Sequence, residues 1–258
     1  MNRSLRPGWL GILALAAAAG LGAHDLTGFS ASVLVDGVPL PEYAARGRIY
    51  VEALRGRDFT IRLSNPTSGR VAVALSVDGR NVIDAKRTTE SAATKWILGP
   101  GQTVEIPGWQ ISGETARKFF FTHTENSYAK WLGDTSNVGT IEAIFFREKH
   151  REPEAMPPIA STTPERPEAK SRADARAGAP TAQADMFAAT GIGDRTSFPV
   201  QWVAFDEEPA PAARIAIRYE FRAELVRLGV LRPSGGLSTR EQASGFEREY
   251  APDPDGRR

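Results

Sequence analysis

The sequence predicts a mainly β chain: an antiparallel β-sandwich or rolled barrel, then a disordered linker and a small strand-bearing C-terminal segment. Three observations predict it. Over residues 70–122, short apolar runs are cut by Asp78-Gly79, Gly99-Pro100-Gly101 and Pro107-Gly108, turn signals that fold an antiparallel sheet back on itself. Elsewhere apolar and polar residues alternate with period two, as in Ile49, Val51, Ala53, then Phe59, Ile61, Leu63, and later Ile215, Ile217, Tyr219, Phe221. From Arg147 onward the composition shifts to Pro, Ala and charge with almost no large apolar residue, which cannot offset the entropy of ordering.

Domain boundaries follow in order. Arg3 and Arg6 precede an apolar run over residues 9–23 that ends at His24 and Asp25, the pattern of a signal peptide over residues 1–23. The run is shorter than the roughly 20 apolar residues of a spanning helix, so no stable membrane span is expected after cleavage. The sandwich occupies residues 24–148, the linker 149–186, the strand-bearing segment 187–232 and a disordered tail 233–258.

Within the sandwich, residues 26–40 read as a hairpin about Asp36-Gly37. Residues 48–54 and 59–63 are half-buried strands, and Asn65-Pro66-Thr67-Ser68-Gly69 is a turn cluster. The next strand carries Val71, Val73, Leu75 and Val77 on one side and Ala72, Ala74 and Ser76 on the other, so it is expected to be covered on both faces. Residues 198–221 are the candidate to cover its alanine side. Residues 95–106 read as a further hairpin, residues 127–133 as a turn-like connection, and residues 138–146 as the closing strand. In the last segment, Thr190-Gly191-Ile192-Gly193-Asp194 reads as a flexible hinge, residues 198–205 and 214–222 as strands, and residues 221–231 as a short helix or turn. That segment is small for a core of its own, so its strands are expected to join the first sheet or pair with another chain.

The series SVDGRNVIDA, KWILGP, IPGWQIS, FFFT, SYAKWLG and GTIEAIFFRE resembles a family of uncharacterised exported bacterial β-domain proteins that share such segments, and the resemblance covers about residues 48–148. The resemblance implies a recurrent β-domain and carries no activity or site residue.

Composition removes several function classes. With 32 Lys and Arg against 31 Asp and Glu, net charge +1, no field recruits nucleic acid. The absence of cysteine removes disulfides, thiolate metal sites and thiol nucleophiles. Gly-x-Ser-x-Gly, His-Glu-x-x-His and calcium-loop patterns are missing, and no spacing singles out a catalytic carboxylate pair. The leading expectation is therefore an exported, periplasmic or extracellular, non-enzymatic protein without a cofactor that binds a protein partner or itself. Two other readings stay open. Cleavage after Ala23 would make His24 an N-terminal copper ligand, with His123 completing a brace. Alternatively Trp96, Trp109, Tyr128 and Trp131, with Trp202 beyond them, line a sugar- or peptide-binding surface, since aromatic rings offer large contact area with a polar handle.

Overall fold

A computed structural model describes residues 28–149 and 187–233, together with the backbone of residues 23–24. Most of the expected signal peptide, nearly all of the linker and the tail lie outside the described residues. Among the described residues no helix is long and apolar enough to cross a membrane.

Two sheets pack face to face as a β-sandwich. With strands numbered in chain order, the first sheet holds β1 (Ala23–His24), β2 (Ser30–Val35), β3 (Val38–Pro39), β6 (Asp58–Ser64), β10 (Thr103–Ile106), β11 (Gly108–Gln110), β12 (Thr115–His123) and β14 (Ala188–Ser197). The second holds β4 (Glu42–Ala45), β5 (Arg48–Glu52), β15 (Ala213–Glu220), β13 (Thr140–Arg147) and β7 (Val71–Val77) in that spatial order, with β8 (Arg80–Asn81) and β9 (Trp96–Leu98) beyond β7. Between them the inward residues of the alternating runs form one core. Phe59 stacks on Phe121 at 4.2 Å and on Phe119 at 5.2 Å, and Phe29 stacks on Phe145 at 4.8 Å.

Local chemistry explains the turns. Asp36-Gly37 and Asp78-Gly79 both adopt positive φ, at 50° and 76° and at 51° and 71°, the conformation that a two-residue hairpin requires. Gly108 has a different role, because a Cβ there would stand 1.9 Å from the Arg117 carbonyl oxygen; only glycine lets β11 lie this close to β12. Ser127 caps the single-turn helix α1 (Tyr128–Trp131) by accepting from the Lys130 N–H at 3.0 Å, so the turn-like connection is one capped helical turn. The later short helix, α2 (Arg222–Arg227), falls where the sequence expects it.

Three expectations change. Residues 95–106 do not form a hairpin: β9 pairs with β7 in the second sheet and β10 with β6 in the first. Asn65 explains the crossing, since its amide donates to the Gly69 and Gly99 carbonyls at 2.8 and 2.7 Å and locks the 65–69 turn onto the 99–102 turn. The glycine-rich hinge is instead the middle of β14, paired along β12 from Ala188↔His123 to Ser197↔Thr115. Residues 198–205, read as a strand, belong to no strand and form an arm from the β11–β12 turn, where Val200 N–H bonds the Gly113 carbonyl, to the end of β13 near Lys149.

The C-terminal segment is built into both sheets. β15 lies between β13, antiparallel, and β5, parallel, and buries Ile215, Ile217 and Tyr219 in the common core. The two-sided strand β7 is covered as expected: its odd-numbered residues face the core, while Ala72 and Ala74 join Ile144 and Phe146 in a second cluster under Ile97, Ala93 and Phe205 of the arm.

Candidate functional site

Three places concentrate chemistry. The first is a buried polar cluster where the two sheets meet at one corner. The Asp78 carboxylate accepts from the Gly139 N–H at 2.8 Å and the Tyr219 hydroxyl at 2.5 Å on Oδ1, and from the Thr190 N–H at 2.8 Å on Oδ2. Tyr219 also shares a 2.7 Å hydrogen bond with the Thr190 hydroxyl, and Glu220 accepts from the Ala188 N–H at 3.2 Å. Burial pushes the Asp78 carboxyl up to about 6 against the pull of these donors. Burial and the adjacent Asp78 raise the Tyr219 phenol further above its ordinary range. Perturbed carboxylates are often catalytic. Here every oxygen of Asp78 is engaged and the residue is 3% exposed, so no substrate reaches it. Ala188 and Thr190 are alternate residues of the marginal strand β14, and Glu220 and Asp78 satisfy the N–H groups that a further strand would otherwise take. The cluster closes a sheet margin.

The second is a polar cleft of about 820 Å³ on the outer face of the second sheet, lined by Ser76, Asn81, Lys86, Glu90, Glu142 and Arg214 among others. Its charges are spent on each other. Arg214 bridges Glu142 and Glu90, Arg87 holds Asp134, and Lys86 lies 3.8 Å from Asp84. The cleft therefore offers a ligand little unpaired charge.

The third is a groove of about 640 Å³ between β9 and the arm. Its walls are Ala72, Ile83, Trp96 and Ile97 on one side and residues 199–203 with Phe205 on the other. Trp202 is 86% exposed and Val203 beside it is also exposed. The Trp96 indole Nε1, buried in the wall, has no hydrogen-bond partner among the described residues. Lys95 pairs with Glu207 at 3.0 Å and lies over the Phe146 ring, and Arg70 pairs with Glu148 while covering the Phe205 ring, so these cations are satisfied within the protein.

The aromatic candidates divide between the core and two surfaces. Trp109 is 3% exposed, donates to the Gly191 carbonyl at 3.2 Å and stands edge-on to Phe119, so it is a core residue. Tyr128 lies against it at 4.9 Å and Trp131 stacks on Tyr128 at 5.6 Å, which makes a ladder from the core to an exposed indole. Trp96 is elsewhere, edge-on to Phe198 in the groove. Trp202 gives that groove its exposed ring, and nothing in the alternation around it distinguishes it from a strand residue.

The copper pair is not assembled. The backbone of His24 pairs with Ser30, which lies opposite Ser64 at one end of β6. His123 lies four residues beyond Phe119, which faces Phe59 at the other end. Along the strands this is a separation on the order of 30 Å. His123 instead packs at 4.9 Å on the Phe221 ring, with Nδ1 unpartnered among the described residues. Among the described residues no group of three or more metal-ligating side chains gathers; the side chain of His24 and His150 lie outside them.

Comparison with protein-family models, with curated proteins and with solved structures gives no match. The functional reading therefore rests on the geometry of this chain.

Proposed function

We propose that this is an exported, non-enzymatic binding or assembly protein that recognises its ligand through the groove between β9 and the arm. The observation that carries the reading is Trp202. A tryptophan held 86% exposed on the rim of a largely apolar groove costs hydration free energy in the free protein and returns it when covered. The buried indole N–H of Trp96 adds a donor that a ligand acceptor would satisfy. Export is supported by the basic start and the apolar run over residues 9–23 that ends in small residues. Mass spectrometry of the protein recovered outside the cytoplasm is expected to find a first residue near His24; a chain retaining Met1 overturns cleavage there, and recovery from the cytoplasm alone overturns export.

Carbohydrate binding is the second reading, favoured by the exposed Trp131 stacked on Tyr128 as a flat platform. Peptide and glycan panels probed with the wild type, Trp202→Ala and Trp131→Ala separate the two. Binding lost at least about tenfold in Trp202→Ala alone supports the groove. Loss only in Trp131→Ala transfers recognition to the ladder.

A further inference from the structure

The groove has the backbone character of a missing strand. In β7 the Leu75 carbonyl accepts from the Val82 N–H at 3.1 Å, while just before the strand the Arg70 carbonyl accepts from the Glu148 N–H at 3.3 Å. Odd-numbered residues therefore direct their backbone toward β8 and β9, and even-numbered ones toward β13. The register of β9 is Leu98↔Val71, Ile97↔Ala72 and Trp96↔Val73. Its bonded pairs are thus the outer two, and the N–H and C=O of Ile97 point away from the sheet at its open margin.

The opposite wall is equally unpaired. Val200 is tied to Gly113 and Asp206 to Lys149, but from Gln201 to Phe205 no backbone group makes a hydrogen bond among the described residues. Two stretches of free backbone thus face one slot, and the unpartnered Trp96 N–H lies in the same wall.

We propose that the slot takes an extended peptide segment of a partner protein, added as a strand beside β9, with a large apolar or aromatic side chain held between Trp96 and Trp202. The proposal rests on the groove being the recognition surface and names what enters it. A strand supplies donors and acceptors on both of its edges every second residue, roughly 6.8 Å apart, and so can serve Ile97 and the arm together. A sugar ring can stack on Trp202 and accept from Trp96, but it does not present that repeat. An ionic ligand gains little, because Lys95 and Arg70 already hold Glu207 and Glu148.

The test is selection of short random peptides displayed on phage against the full mature protein, followed by synthesis of the enriched peptide. Trp202→Ser, at an exposed position that leaves the core intact, is expected to weaken its Kd at least about tenfold. Hydrogen exchange at the Ile97 amide is expected to slow on binding. N-methylation of the peptide backbone is expected to abolish binding at the residues seated in the slot, whose successive N–H groups face β9 and the arm in turn, and to be tolerated outside it. Seated residues that all tolerate N-methylation, or an Ile97 amide unprotected in the complex or already protected in the free protein, overturn the proposal. If glycans bind in a Trp202-dependent way and peptides do not, the peptide assignment falls and the groove stands. If neither binds, and Trp202→Ser behaves as the wild type, the groove reading itself falls.

Discussion

Replacing Asp78 with alanine is expected to destabilise the fold by about 2 kcal/mol at pH 7, and by about 2–3 kcal/mol more at pH 4. The baseline loss comes from three buried donors, the Gly139 and Thr190 N–H groups and the Tyr219 hydroxyl, which lose their common acceptor. The pH term follows from burial. Asp78 titrates at about 6 in the fold against 3.8 for an exposed carboxyl, so between those values the folded protein binds the extra proton. The stabilisation by Asp78 is therefore fully present below pH 3.8 and declines as pH rises through 6. Urea unfolding of the wild type and Asp78→Ala across pH 4–7 reads the difference, and subtraction cancels groups common to both, Glu220 among them. A difference that is flat, or that grows toward neutral pH, would falsify the assignment.

A chain ending at residue 186 is expected not to fold. Without β15, β4 and β5 lose their connection to β13, and the core loses Ile215, Ile217 and Tyr219. Without β14 the strand β12 loses its longest partner, and Asp78 loses the Thr190 N–H of β14 together with the Tyr219 hydroxyl of β15. Burial of three large side chains is worth roughly 5–9 kcal/mol, comparable to the whole stability of an ordinary domain. The measurement is near-ultraviolet circular dichroism with thermal unfolding, where the truncated chain is expected to show no cooperative transition. A sharp transition in that chain would establish residues 24–149 as a self-sufficient sandwich. Supplying residues 187–233 as a separate peptide is expected to restore part of the signal.

Much of the architecture is visible along the chain because strand periodicity and turn chemistry are local. Val71 to Val77 is apolar on both sides, and the second cluster under Phe205 is the consequence. Asp36-Gly37 and Asp78-Gly79 turn as their residue types require. Thr190-Gly191-Ile192-Gly193-Asp194 is strand and not hinge because its strand character comes from β12, some seventy residues earlier in the chain. Glycine contributes no side-chain pattern, and Gly191 is needed there because a Cβ would stand 2.2 Å from the Phe120 ring. The groove was legible only as a scatter of aromatic residues. Trp96 lies in the groove, Trp109 and Tyr128 are drawn inward or sideways by packing, and the exposure of Trp202 depends on an arm whose residues 201–205 make no backbone hydrogen bond among the described residues.

The sequence by itself determined the class of fold, the strands with clean alternation and the turns between them, since each depends on contacts within a few residues. Tertiary structure alone decided which sheet each strand joined, the parallel pairing of β5 with β15, and the union of Asp78 with Gly139, Thr190 and Tyr219. It also decided that Ile97 and residues 201–203 line one groove with backbone groups unbonded among the described residues. Those outcomes depend on which distant segments compete for the same hydrogen bonds and the same buried volume, and no local pattern encodes that competition.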